Sequence, residues 1–218
     1  PMYNSVFLSP LIPIKDEAGE WYYGHVDFFL SGANPVGSAY VDEREREQTR
    51  ITDNLMATYR LATGLNFKSA WSFDIINIDE FIYENGMWGD CRAYDGRTDE
   101  GRTDVINWQG INTLDYTTTF GESHNINVLV GTESSKVSRD AVNAYGGGYA
   151  HPSLHYLASA ANPLDAWSMR EDYAFMSYFS RANYNYQGKY YISGSFRRDG
   201  SSRFGPDNRW GNFWSVGL

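Results

Sequence analysis

The stretch Leu65-Asn66-Phe67-Lys68-Ser69-Ala70-Trp71-Ser72-Phe73-Asp74-Ile75 decides the fold of this chain of 218 residues. Its odd positions carry Leu65, Phe67, Trp71, Phe73 and Ile75, interrupted only by Ser69, while its even positions carry Asn66, Lys68, Ala70, Ser72 and Asp74. A period of two marks a β-strand, because successive side chains leave opposite sides of the pleat. Strands of soluble proteins usually run ~5–6 residues. This alternation persists further, for the ~9–11 residues that a tilted strand needs to cross a bilayer.

The same period recurs on both sides of that stretch. Upstream, Leu55, Ala57, Tyr59 and Leu61 oppose Asn54, Met56, Thr58 and Arg60. Downstream, Leu114, Tyr116 and Phe120 oppose Asp115, Thr117 and Thr119, and Ile126, Val128 and Val130 oppose Asn127, Leu129 and Glu133. Ala174, Met176, Tyr178, Ala182, Tyr184 and Tyr186 oppose Phe175, Ser177, Phe179, Arg181, Asn183 and Asn185. Finally Tyr190, Ile192, Gly194 and Phe196 oppose Tyr191, Ser193, Ser195, Arg197 and Asp199.

Connections between these segments alternate in length. Ala62-Thr63-Gly64, Gly121-Glu122-Ser123-His124 and Gln187-Gly188 read as hairpin turns. The stretches 79–102, 139–168 and 199–212 read as long loops. Short turns at one end and long loops at the other predict an all-β, transmembrane antiparallel β-barrel with short periplasmic turns and long extracellular loops. The hairpins fall at 50–78, 103–138 and 168–203, with a further strand starting at 213–218. Residues 1–48 read as an extracellular loop region, including the charge run Asp42-Glu43-Arg44-Glu45-Arg46-Glu47.

Aromatic residues gather beside the short turns: Tyr59, Phe67, Phe120, Tyr184, Tyr186 and Tyr190 all sit on the apolar face, where an interfacial girdle belongs. Turning a Lys or Arg toward lipid at the midplane costs ~2–4 kcal/mol. The polar face must therefore line the lumen, with Lys68, Asp74, Asp115, Glu133, Arg181, Asn183 and Arg197 as its candidate functional residues. A soluble extracellular β-sandwich that binds carbohydrate is the competing reading.

Composition narrows the function classes. The formal charge is −9, which disfavours nucleic acid, a partner that calls for a basic patch. Aromatics make up 17% of residues and charged residues 21%, a balance suited to pleated sheet and unsuited to disorder. Cys91 is the only cysteine, so the chain closes no disulfide within itself and offers no cysteine-based metal spacing.

Further residues carry a resemblance. Ser177-Tyr178-Phe179-Ser180-Arg181-Ala182-Asn183-Tyr184-Asn185-Tyr186, Lys189-Tyr190, Arg197-Arg198-Asp199-Gly200-Ser201-Ser202-Arg203-Phe204-Gly205-Pro206 and Arg209-Trp210-Gly211 resemble the SusC/RagA family of TonB-dependent outer-membrane transporters. Thr119-Phe120-Gly121 with His124 to Gly131 looks like the family's preceding hairpin, and Pro10-Leu11-Ile12-Pro13 with Asn34-Pro35 resembles an upstream loop. The resemblance implies a barrel of 22 strands with an internal plug in the outer membrane of a Gram-negative, Bacteroidetes-type bacterium. It also implies a SusD-like surface lipoprotein as partner, a glycan or peptide as cargo, and TonB as the energy source, engaged through a region not in this chain. Six to seven strands fit only a middle portion of such a barrel; plug and TonB box are not found here, and Leu218 falls inside a strand.

No enzyme is indicated, and no cofactor or metal. The stretch Asp95 to Asp104 holds four carboxylates without an EF-hand spacing and reads as a solvated loop. His151 and His155 are separated by Pro152, which argues against a helical zinc pair. Arg197 to Gly205 is expected to fix a turn and a polar network rather than to hold cargo. Aromatics of the long loops, Trp88, Tyr94, Tyr149 and Tyr156 above all, with Tyr145 and Trp167, are the candidates for stacking on a ligand or on the partner lipoprotein.

Overall fold

The computed structural model describes residues 13–22 and 34–218; the loop motif at Pro10, Leu11 and Ile12 lies outside them. Seven strands form one antiparallel sheet in sequence order: β1 (Glu43–Ala62), β2 (Leu65–Glu84), β3 (Arg97–Phe120), β4 (His124–Gly147), β5 (Asn162–Tyr186), β6 (Tyr190–Ser201) and β7 (Trp210–Gly217). Each strand pairs with its neighbour in the chain, so this is a meander and not two packed sheets of a sandwich. Among the described residues one short α-helix, α1 (Pro35–Val41), precedes β1.

The short connections are those the alternation predicts. At the first, Gly64 has φ of 78° and a Cβ there would lie 2.2 Å from the Thr117 carbonyl oxygen, so only glycine fits. The Gly64 carbonyl in turn accepts the Thr117 N–H at 2.8 Å, and the Ser123 carbonyl accepts the Gln187 N–H at 2.8 Å, stitching each turn to the next hairpin.

The strands are longer than the alternation suggests. β3 and β4 have 24 residues each and β5 has 25, about twice the ~9–11 that hydrocarbon requires. The long loops shrink accordingly to 85–96, 148–161 and 202–209. The charge run at 42–47 is a correction. It is strand from Glu43 onward, not loop, because its glutamates and arginines also alternate with a period of two. Arg44 pairs with Glu84 at 2.8 Å and Arg46 with Glu80 at 3.5 Å, so cross-strand charge pairing replaces apolar contact there. Likewise Arg97 to Asp104 opens β3 rather than a solvated loop, with Arg97 on Glu84 at 3.0 Å and Arg102 facing Asp79 at 3.9 Å.

The chain forms two compact units. One comprises Arg50–Ile76, Asp104–Asp140 and Arg170–Leu218, the turn-side portions of the strands; the other includes Asn77–Thr103 and Ala141–Met169, the loop-side portions. In the turn-side unit the register Ser177↔Asp199, Phe179↔Arg197, Arg181↔Ser195 and Asn183↔Ser193 puts the odd residues of β5 and β6 on one face. Side-chain bonds extend that face across the sheet. Arg197 reaches Glu133, Asn183 reaches Asn127, and Asn127 reaches Asp115. The opposite face carries no charge along Leu55–Leu61, Leu65–Ile75, Ile106–Phe120, His124–Ser134, Ala174–Tyr186 and Tyr190–Phe196 when every second residue is read.

The girdle beside the turns is a stacked cluster. His124, missed in the sequence because it sits at a turn, lies parallel to Phe120 with ring centroids 4.8 Å apart and bonds Tyr184 Oη through Nδ1 at 2.7 Å. Tyr186 continues the cluster to Tyr190 at 6.3 Å. This assignment of faces is testable on the complete protein that carries this sequence. Val128→Arg puts a cation into the charge-free face at ~2–4 kcal/mol and should block barrel assembly, read as heat-modifiable mobility. Asn127→Arg places the cation beside Asp115 and should assemble normally.

Candidate lumen-facing site and loop aromatics

The polar face organises itself around Arg197. Its guanidinium donates to Glu133 at 2.8 Å, Asp199 at 2.6 Å and the buried Ser177 hydroxyl at 3.0 Å. Gln109 donates to the other Glu133 oxygen at 2.7 Å, so one network ties β3, β4, β5 and β6 together. Arg197 also packs over the Phe179 ring at 5.7 Å, and Phe179 fills the space above Gly131, where a Cβ would lie 2.5 Å from the ring. A guanidinium with its fork occupied by two carboxylates is a brace.

Two smaller networks flank it. Asn127 donates to Asp115 and Thr117 at 2.9 Å each and accepts from Asn183. Asp74 takes a two-pronged contact from Arg50 at 2.8 and 2.9 Å and a bond from the Thr52 hydroxyl at 3.0 Å. Thus Asp74, Asp115, Glu133, Asn183 and Arg197 are brought into protein–protein bonds. Lys68 and Arg181 are exposed and make no ion pair among the described residues. Arg60, which follows the same parity and was not singled out from the sequence, is exposed and equally unpaired.

The signature stretch is absorbed by backbone anchoring. Ser202 Oγ accepts the Ala174 N–H at 2.8 Å, the Ser202 N–H donates to Ala174 at 2.9 Å, and the Ser201 N–H donates to Arg209 at 3.0 Å. Arg203 stacks on Tyr173 at 3.9 Å and pairs with Glu171 at 3.1 Å. Gly200 lets the Trp210 ring lie where a Cβ would approach to 2.9 Å. Arg198, by contrast, stands on the charge-free face over the Trp210 ring.

Among the loop aromatics the structure separates two kinds. Trp88 is 3% exposed, donates its indole N–H to Ser38 Oγ at 2.9 Å and lies against Gly37 of α1. Asn34 caps that helix by accepting the N–H groups of Val36 and Gly37, while its amide donates to Ile14 and Tyr22. Asn85 accepts from Met87 and Trp88 and donates to Asp42. Tyr149 is 8% exposed and meets Tyr83 edge-on at 6.0 Å; burial raises both phenols above their ordinary pKa, with the Asp42 charge adding to it at Tyr83. Trp88 and Tyr149 therefore fold the loop side and present no ring to a ligand. Tyr94 and Tyr156 are exposed, as is Trp167.

His155 bonds Glu43 at 3.2 Å and packs on Tyr83 at 4.8 Å, whereas His151 bonds Ser153, so the two histidines share no site. Among the described residues no group of three or more His, Cys, Asp or Glu is placed to hold a metal. Cys91 is buried with its Sγ 3.0 Å from Glu84.

Two measurements check these roles. Arg197→Ala leaves Glu133 and Asp199 without their shared donor and should cost about 1–2 kcal/mol in urea unfolding of the complete protein in vesicles, a figure discounted for partial exposure. The Glu133→Ala, Arg197→Ala pair should cost less than the sum of the singles. Trp88→Ala should open 85–96 to limited proteolysis, whereas Tyr156→Ala should leave the cleavage pattern unchanged.

No protein-family model matches the chain. TonB-dependent receptor P39 of Formosa agariphila is 28% identical over 189 residues, 85% of this chain and 18% of the relative. TonB-dependent receptor P3 of the same organism is 29% identical over 214 residues, 96% of this chain and 21% of the relative. TonB-dependent receptor SusC of Bacteroides thetaiotaomicron is 45% identical over 62 residues, 26% of this chain and 6% of the relative. Among solved structures, the RagAB peptide transporter superposes with a TM-score of 0.77 at 25% identity over 91% of this chain and 23% of that one. The RagAB peptide importer in its closed-closed state gives 0.78 at 25% identity over 92% of this chain and 23% of that one. The chain thus spans about a fifth of the length of the curated receptors it matches along most of its own length. Its relatives are receptors and transporters, and along nearly its whole length the chain is similar to a portion of SusC/RagA-type TonB-dependent receptors, with a seven-stranded antiparallel sheet that superposes on part of the RagAB transporter.

Proposed function

We propose that the protein carrying this chain imports glycans or peptides across the outer membrane of a Gram-negative, Bacteroidetes-type bacterium, energised through TonB and loaded by a SusD-like surface lipoprotein. The observation that carries this reading is the two-faced sheet. A charge-free face of membrane-crossing height backs a face of braced carboxylates and guanidiniums, which is the wall of an aqueous passage and has no use in a soluble module. Within that wall Arg60, Lys68 and Arg181 are among the cations left for cargo carbonyls and carboxylates, while the braced residues set the shape of the passage. On the loop side, the exposed rings of Tyr94 and Tyr156 are the contacts for cargo or lipoprotein.

Uptake of labelled oligosaccharide and oligopeptide pools by cells producing the complete receptor tests this. Uptake should stop when a protonophore collapses the inner-membrane gradient, and Tyr156→Ala should lower it about threefold to tenfold, the worth of one aromatic contact. Uptake that survives the protonophore overturns the energised-import reading.

A further inference from the structure

The charge-free face holds one feature that transport does not use. Between β2 and β6 lies a cleft of about 430 Å³ lined by Phe67, Leu114, Val130, Tyr178, Ser180 and Phe196. It exists because the residue paired with Phe196 is the small Ser180. Immediately above, Arg198 pairs with Tyr178 on one side and Asn212 on the other. The Arg198 guanidinium lies 5.1 Å from the Trp210 ring centroid, and Trp210 stacks on Tyr178 at 6.1 Å.

Arg198 differs from the other cations that this face carries on β4 and β5. Lys136 is held by Asp172 at 3.7 Å, and Arg170 by Asp140 and Asp172 at 3.8 and 3.1 Å. Arg198 is exposed and makes no ion pair among the described residues. The Trp210 ring holds the guanidinium by its charge and takes none of its N–H donors as a carboxylate would, which leaves them for a phosphate. Eight residues separate it from Tyr190 in the turn-side girdle, and at a usual tilt of ~40° and ~3.3 Å per residue that is about 20 Å of height. Arg198 therefore stands at the loop-side boundary of the apolar band, with the cleft opening below it toward the bilayer interior.

We propose that Arg198, Trp210 and Tyr178, together with the cleft beneath them, bind one lipid of the loop-side leaflet that carries a net negative phosphate headgroup. The phosphate sits on the open edge of the Arg198 guanidinium, and one acyl chain lies in the cleft between Phe196, Ser180 and Val130. Charge complementarity selects the headgroup: the cation has no carboxylate, and the cleft has the apolar lining an acyl chain needs. The site rests on the membrane-spanning reading of this face and is separate from the passage on the other.

The complete receptor, purified in detergent and exposed to equal amounts of phosphatidylglycerol and phosphatidylcholine of the same chain length, tests it by native mass spectrometry. Phosphatidylglycerol should be retained over phosphatidylcholine, and Arg198→Gln should lower its retention about fivefold, the weight of one interfacial cation. Arg198→Lys should keep part of the preference, and Ser180→Phe, which fills the cleft, should lower both lipids. Millimolar inorganic phosphate should not displace the bound lipid; displacement would overturn the acyl-chain half of the proposal. Equal retention of the two lipids, or an Arg198→Gln receptor that retains phosphatidylglycerol as the parent does, overturns the site. If Ser180→Phe does not assemble, Arg198→Gln alone decides. Heat-modifiable mobility of the parent separates the two readings: a chain that shows none and stays in aqueous buffer breaks the membrane reading, whereas a folded barrel without lipid preference breaks only this proposal.

Discussion

A peptide N–H or C=O carried into hydrocarbon finds no water to bond, and each one left unpaired costs several kcal/mol. That constraint accounts for the strict neighbour-to-neighbour order of the seven strands, since a meander is the way to pair each strand with the next without a crossover. It accounts for the turns as well. Gly64 gives its carbonyl to Thr117 and Ser123 gives its carbonyl to Gln187, so the backbone at the turn-side rim is bonded between hairpins as well as within them. β1 and β7 pair on one side only in this sheet, and in a membrane those open ladders require further strands.

With the backbone satisfied, side chains are free to differ between the two faces, and the polar face handles its charges by pairing them. Arg197, Glu133, Asp199 and Ser177 close one network, and Arg50, Asp74 and Thr52 close another. In a water-filled passage a lone surface pair contributes little. A four-strand network contributes geometry instead: it holds strands β3 to β6 at one spacing.

The turn-side half of the structure was legible because its physics is local and periodic. Lipid imposes a period of two on Leu65 to Ile75 and on Tyr190 to Phe196, and the aromatic girdle follows from the same alternation. His124 escaped because it closes a turn, and only its stacking on Phe120 reveals it as a girdle residue. Arg198 escaped because it was grouped with its neighbours by motif, whereas parity turns it to the other face from Arg197. The loop-side half was less legible. There water replaces lipid as the surroundings, apolar alternation is no longer required, and the strand segments at 43–49 and 97–103 are rich in charged and polar residues, which reads equally well as a solvated loop.

The loop side also shows why a list of aromatic residues is a poor list of ligand contacts. Asparagine side chains do the folding there: Asn34 ties Ile14, Tyr22 and the start of α1, and Asn85 ties Asp42 to the turn that carries Trp88. Such hubs satisfy buried backbone groups that no ladder reaches, and large rings then close over them to exclude water. Trp88 and Tyr149 are spent in that way. Tyr94 and Tyr156 stay exposed, although the Tyr156 ring rests against Phe81 and His155, and the backbone near both is already bonded, with the Tyr94 carbonyl accepting from Gly148 and the Tyr156 carbonyl from Ser159. Exposure combined with a fixed backbone is what a recognition residue requires, since a ring held in place loses little entropy on contact.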